Sequence, residues 1–289
     1  MAYYVIQFLN ALSFSMLLLL TAVGMSVVLS LMNFVNLAHG SFYLLGSYIA
    51  IYLLAAGMPW WAAVGATFAA TAAVGFLLDY FPFGRFYARP HLMQVLLTFG
   101  ISVVFADLMR WGFGGQVVSP AIPEFLRGVV FILDIPFPIY RLFLILSGLV
   151  LAGGVWYLLD RTIWGAVVRA CVFDRAIVET LGLNTRRIFT IVLAFSAGLG
   201  GLSGALGSGI LAAYPGLDEE VLLLALIVVV VGGLGTFRGT VISTLLLGFS
   251  ITFSRVWIPE FSNFVSLAVM ASVLVLRPDG LVALDTRQV

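Results

Sequence analysis

Long apolar runs dominate this chain and constrain it more than any motif does. A helix that crosses a bilayer needs about 20 mainly apolar residues. Nine stretches approach that length: Ile6–Leu31, Val35–Leu54, Trp60–Tyr80, Leu92–Phe113, Tyr140–Leu159, Ile188–Ala213, Val221–Leu234, Val241–Ile258 and Phe261–Leu276. Lipid is the solvent such runs require, and in lipid only structures that satisfy their own backbone hydrogen bonds survive. The expected fold class is an all-α integral membrane protein of 8–9 transmembrane helices. Val221–Leu234 is short, and Val35–Leu54 carries polar groups and Gly40, so one of the two is a candidate for a broken or re-entrant helix. Composition agrees: only 9% of the 289 residues are charged, against about 25% in soluble domains.

The N-terminal MAYYVIQFLN has no basic region and no small-residue cleavage site, and reads as a mature start. Cys171 is the single cysteine, so no intrachain disulfide or cysteine-based metal site is expected. All 14 basic residues are arginine. Without lysine the chain has neither the phosphate-binding lysine of a Walker A loop nor a Schiff-base nucleophile.

Arginine placement orients the spans. Arg85, Arg89, Arg161, Arg169, Arg175, Arg186, Arg187, Arg238, Arg277 and Arg287 fall on one side by this count. Glu124, Asp134, Asp218, Glu219, Glu220 and Glu260 fall on the other, with few arginines beside them. The N-terminus is therefore expected outside and the C-terminus in the cytoplasm. One transmembrane domain, 1–289, would then carry an external loop at 114–138 and a cytoplasmic loop at 161–187. The external loop holds Pro120, Pro123, Pro136 and Pro138, which predict an ordered, partly non-helical connection. It reads equally as a receiving surface for a soluble protein and as a plain connector.

Four segments stand out. Trp164–Asn184 (WGAVVRACVFDRAIVETLGLN) concentrates Arg169, Asp174, Arg175 and Glu179 between two spans. Nothing between Ala166 and Leu181 is expected to break a helix, Arg175 and Glu179 form an i, i+4 pair, and Gly182 suits the left-handed position past a helix end. The segment is either a docking helix for a soluble partner or an interfacial amphipathic helix. In Ala197–Gly209 (AGLGGLSGALGSG), Gly200, Gly204 and Ser208 form one stripe and Ala197, Gly201, Ala205 and Gly209 the next. Such stripes let helices pack closely in lipid, and a smooth helix also slides. Asn33, Asn36, His39, Ser41 and Ser47 gather at the start of a span, where polar groups line a watery path or bond between helices; Gly40 is a candidate for opening the helix. Gly232–Gly239 (GGLGTFRG) lacks dinucleotide-loop spacing and reads as a tight turn.

Three of these pieces carry a family resemblance. Gly24–Ala50, centred on NLAHG, Arg169–Ile188 (RACVFDRAIVETLGLNTRRI), and Val228–Ser243, with RPDGL at Arg277–Leu281, together resemble the LivH-type inner-membrane permeases of the branched-chain (hydrophobic) amino-acid ABC uptake transporters. That resemblance implies half of a translocation path in the bacterial inner membrane. It implies a second permease subunit, two cytoplasmic ATPases that hold ATP and Mg, and a periplasmic solute-binding protein. Arg169, Ala170, Asp174, Arg175, Glu179 and Gly182 would couple to the ATPase, and Asn33, Asn36, His39, Gly40 and Ser41 would contribute to the path. Gly200, Gly201, Gly204 and Gly209 are the expected helix-packing positions. The family also takes up urea, short amides and aromatic or other carboxylates. An ATP-independent transporter would need intramembrane charge relays, for which only Asp107 and Arg110 come near. A membrane enzyme would need clustered acid and histidine, and His39 and His91 stand alone.

Overall fold

The computed structural model describes residues 2–32, 34–87, 89–120, 122–233 and 236–282, with the side chains of Val172, Arg175 and Asn263 excepted. Asn33, Leu234, Gly235 and Arg287 lie outside the described residues.

The chain is mostly helical. Its helices are α1 (Ala2–Met32), α2 (His39–Ala55), α3 (Trp60–Tyr80), α4 (His91–Phe113), α5 (Ile139–Arg161), α6 (Ile163–Phe173), α7 (Arg175–Thr180), α8 (Thr185–Gly207), α9 (Leu217–Gly232), α10 (Phe237–Trp257) and α11 (Ser262–Leu276). Among the described residues, 6 helical runs are long and apolar enough to cross a membrane: Ala2–Met32, Trp60–Arg85, His91–Phe113, Ile139–Arg161, Thr185–Gly207 and Phe237–Trp257. His39–Ala55 and Phe264–Leu276 are shorter apolar helices.

α1 and α8 form the centre. α1 packs against α5, α8, α9 and α10, and α8 packs against α1, α2 and α3. The apolar surface of α4 points the other way. Leu92, Leu96, Phe99 and Val103, at helical spacing along one face, are exposed, as suits a helix bathed in lipid. α3, α4 and α5 each start directly after a proline, Pro59, Pro90 and Pro138. Proline has its φ preset for this position and lacks only an N–H that helix starts leave unbonded.

The departure from an all-α chain lies in the loop 114–138. Val129–Ile132 (β1) and Ile135–Pro138 (β2) pair antiparallel, with Ile132 opposite Ile135. Leu133 and Asp134 between them both have positive φ, 51° and 64°, the backbone a two-residue hairpin turn requires. Val118 and Ala213 exchange backbone hydrogen bonds of 2.9 and 2.8 Å, tying this loop to the chain after α8.

Three elements differ from the sequence expectation. The run Val35–Leu54 is helical only from His39, because 34–38 is non-helical. The run Ile188–Ala213 is helical only to Gly207; the N–H groups of Ile210 and Leu211 both turn back to the Gly207 carbonyl. The segment expected as one helix from Ala166 to Leu181 is two, α6 and α7, parted at Asp174.

Candidate translocation and coupling sites

The break before α2 is built by local bonds and one distant threonine. The Asn36 side-chain oxygen accepts the Ala38 N–H at 3.0 Å. The Leu37 N–H donates to Thr98 Oγ1 of α4 at 3.1 Å. Backbone groups that a continuous helix would have bonded internally are thus met from outside it.

His39 opens α2 and is fully buried. Its Nε2 lies 3.0 Å from the Thr21 carbonyl of α1. A carbonyl only accepts, so Nε2 carries the proton. The ring fills a notch between glycines of two other helices: a Cβ at Gly24 of α1 would come within 2.8 Å of it, and one at Gly200 of α8 within 3.2 Å. Gly40 does not open the helix; it is the second residue of α2, and its missing Cβ admits the Asp218 carbonyl and Leu222 of α9. The Asn36 side-chain nitrogen, His39 Nδ1 and Ser41 Oγ are buried and lack a hydrogen-bond partner among the described residues. Three polar atoms within residues 36–41 are thus left for a solute, a water or a partner chain to meet, since orphaned buried polar groups are rare.

The α2–α8 seam depends on glycine. A Cβ on Gly204 would strike the Tyr43 carbonyl, and one on Gly46 would strike the backbone of Gly201. Ser47 Oγ donates to the Gly204 carbonyl at 3.0 Å across this contact. Gly201 also faces Thr71 of α3. Ser196 Oγ donates to the Gly24 carbonyl at 2.6 Å, joining α8 to α1. Gly209 and Ser208 fall beyond the end of α8, so the two stripes do not continue through them; Gly209 makes room for the Tyr140 ring of α5.

The α6–α7 elbow is assembled from capped ends. Thr162 accepts the Gly165 N–H at 3.3 Å, Asp174 the Ile177 N–H at 3.0 Å, and Asn184 the Arg187 N–H at 3.0 Å. Each side chain satisfies a donor that a helix start leaves open. Asp174 explains the break, since its extended backbone (φ −150°, ψ 100°) ends α6 while its carboxylate starts α7. Gly182 has φ +83°. Its N–H reaches the Glu179 carbonyl at 3.0 Å and the Leu183 N–H reaches Val178 at 3.4 Å, the paired bonds of a glycine-terminated helix.

Val168, Cys171 and Val178 are buried in the core with Val27, Leu31, Ile188 and Val192. Arg169 donates to the Leu159 carbonyl and lies 3.9 Å from Asp160, bracing α6 against the end of α5. A Cβ on Gly165 would strike that same Leu159 carbonyl. Ala170 is exposed. Glu179 accepts from the Thr185 hydroxyl. Phe173 at the end of α6, Ile177 of α7 and Leu181 just past it are all well exposed.

Asp79, inside the Trp60–Tyr80 run, was not evident in sequence as a site residue. It is fully buried. It accepts from the Tyr87 hydroxyl of the α3–α4 loop and from Thr190 Oγ1 of α8. Its sequence signal is a lone carboxylate at the end of an apolar run, with Arg85 and Arg89 close behind. Asp107 and Arg110 pair at 3.7 Å but are largely exposed. Tyr214, in the turn before α9, donates to Glu220 at 2.8 Å, and this bond raises its phenol above the usual pKa.

The GGLG and RPDGL pieces meet. The Leu281 and Val282 N–H groups donate to the Val231 and Gly232 carbonyls at 2.9 and 3.1 Å. Gly233 (φ +104°) and Gly280 (φ +84°) touch backbone to backbone there.

The described residues form a bundle of apolar helices with a broken polar helix start and an elbow between two long helices. The family described as branched-chain amino acid transport system / permease component matches residues 7–274, and the chain belongs to it. It is thereby a permease of an ABC-type transporter. It is 24% identical over 307 residues to the high-affinity branched-chain amino acid transport system permease protein BraD of Pseudomonas aeruginosa, covering 96% of this chain and 95% of that one. It is 25% identical over 299 residues to LivH of Escherichia coli K12, a permease protein of the same description, with 96% and 95% covered. Among solved structures, one of PsaBC from Streptococcus pneumoniae in complex with Fab aligns with TM-score 0.53 at 9% identity, covering 96% of this chain and 92% of that one. That likeness is one of fold.

Proposed function

We propose that this chain is one permease subunit of an ATP-driven importer, forming half of the path for a branched-chain or other hydrophobic amino acid. The observation that carries the reading is the α6–α7 elbow. Exposed Phe173, Ile177 and Leu181 stand on a frame fixed by Asp174, Arg169 and Gly182. An apolar ridge held rigid at a loop between spans suits insertion into a groove of a soluble ATPase.

In this reading the elbow is cytoplasmic, the N-terminus and the 114–138 hairpin loop face the periplasm, and α2, α9 and α11 also lie in the bilayer of the bacterial inner membrane. Two ATPases bind and hydrolyse ATP with Mg. A second, different permease completes the path, and a periplasmic binding protein delivers the solute. The unpartnered polar atoms of Asn36, His39 and Ser41 support a place for the α2 start on that path. ATPase closure would favour one permease conformation over the other in proportion to its differential binding. The elbow joins α8 through the turn 181–184, which ends in the Asn184 cap, and α8 packs on α2 along the glycine seam. Displacement of the elbow would therefore be carried to the α2 start.

The test is to co-express the chain with candidate permease and ATPase partners, reconstitute the complex and measure solute-stimulated ATP hydrolysis with and without Ile177→Asp. Loss of stimulation in a variant that still inserts and folds is the expected result. Full stimulation with Ile177→Asp, or solute movement by the chain alone without ATP, would overturn the reading.

A further inference from the structure

A groove beside the elbow has features that coupling does not use. It runs between the end of α3 and the start of α8, with a volume of about 460 Å³, and is lined by Phe76, Tyr80, Asn184, Arg186, Arg187, Thr190 and Ile191. The two helices run antiparallel here, since Asp79 meets Thr190 while Thr71 meets Gly201 nearer their other ends. Both belong to runs long enough to span. The groove therefore opens where the spans leave the hydrocarbon, with its apolar end towards the bilayer and its charged end towards water.

The two ends differ in chemistry. Phe76 and Tyr80, one helical turn apart, lie with rings nearly parallel at 8° and centroids 6.5 Å apart. Together with Ile191 they form an exposed apolar wall. At the other end, Arg186 and Arg187 are exposed. Neither makes an ion pair with a carboxylate within 4.0 Å among the described residues, where Arg110–Asp107 and Arg169–Asp160 are the pairs that form. The buried Asp79, which accepts from Tyr87 and Thr190, feels the Arg186 charge without forming an ion pair with it. Two cations above an apolar, aromatic wall at a membrane boundary match a ligand with a phosphate at one end and acyl chains at the other.

We infer that this groove binds an anionic phospholipid of the surrounding bilayer, its phosphate on Arg186 and Arg187 and an acyl chain along Phe76, Tyr80 and Ile191. A lipid held there abuts the α8 start and the Asp79–Thr190 contact. Its occupancy would stabilise the packing of α3 on α8. The assignment requires only that α3 and α8 cross the membrane, and it stands or falls separately from the ATPase reading.

The experiment is native mass spectrometry and thermal unfolding of the full-length chain from nanodiscs that contain phosphatidylglycerol and phosphatidylcholine in equal parts. Wild type should retain phosphatidylglycerol selectively. Arg186→Gln combined with Arg187→Gln should reduce that selectivity by about tenfold or more, as both cations that meet the phosphate in the groove are lost together. Arg238→Gln, which removes an exposed arginine outside the groove, should leave selectivity intact. An equal loss with Arg238→Gln would mark diffuse charge attraction and overturn the site. Absence of any phosphatidylglycerol preference in wild type would do the same. Stabilisation by inorganic phosphate as strong as by the lipid would make this a soluble-anion site. Unchanged lipid selectivity with lost ATPase co-purification in the double variant would make it a protein contact. Either of these last outcomes also overturns the proposal.

Discussion

Thr190 of α8 donates its hydroxyl hydrogen to Asp79 of α3, a bond that joins residues 111 positions apart in a fully buried setting. The Tyr87 hydroxyl meets the other carboxylate oxygen. Replacing Asp79 by Ala would leave the Tyr87 hydroxyl without its acceptor and Thr190 with the Arg186 carbonyl alone. An unsatisfied group costs about 1–3 kcal/mol, so Asp79→Ala is expected to lower the thermal unfolding midpoint of the chain in detergent clearly. Asp79→Asn keeps an acceptor oxygen and should lose less. Equal midpoints for wild type and Asp79→Ala would refute the bridge.

The α2–α8 seam allows a graded comparison. A Cβ at Gly204 collides with the Tyr43 carbonyl, whereas one at Gly153 of α5 meets nothing within 4 Å. Gly204→Ala should destabilise by about 1–3 kcal/mol through overpacking. Gly153→Ala should be neutral or stabilise by up to about 1 kcal/mol from helix propensity. The same unfolding assay reads both, and the order of the two midpoints is the prediction.

Asp174 separates capping from charge. Its side chain accepts the Ile177 N–H and starts α7. Asp174→Asn preserves that acceptor and is expected to retain ATPase stimulation in the reconstituted complex. Asp174→Arg removes the cap, worth roughly 1 kcal/mol, sets a like charge beside Arg175, and should abolish stimulation while the chain still inserts. A charge contact with the ATPase would instead make Asn as damaging as Arg.

Gly182 sits at φ +83° with nothing near its missing Cβ. Gly182→Ala is therefore strained by conformation alone, at about 1 kcal/mol. Fraying of the α7 end should appear as faster amide exchange at Leu183, whose N–H bonds to Val178. Unaltered protection there would show that the left-handed turn contributes nothing.

How far the sequence could be read depends on where each residue finds its partner. α3 occupies Trp60–Tyr80, the same bounds its apolar run indicates, because that pattern is local. The start of α2 was not legible, since the oxygen that takes the Leu37 N–H belongs to Thr98, 61 residues away. The α6–α7 break was present in the sequence as Asp174, a strong cap residue in mid-helix, but the neighbouring helix-favouring residues masked it. Asp79 showed in the sequence only as a lone carboxylate at the end of an apolar run, because its partners Thr190 and Tyr87 are not adjacent to it along the chain. The glycine spacing of α8 was plain, whereas the atoms each glycine meets belong to α1, α2 and α3 and emerged only in three dimensions.

The Gly204–Tyr43 contact carries a mechanical consequence. With backbone on backbone and the Ser47 bond across it, the seam has no slack for one helix to glide along the other. α2 and α8 must travel as a single lever. Flexing is then left to the places where the backbone departs from helix beside that lever, 34–38 and 56–59 on either side of α2 and 181–184 and 208–216 on either side of α8. Whatever moves this protein has to bend it there.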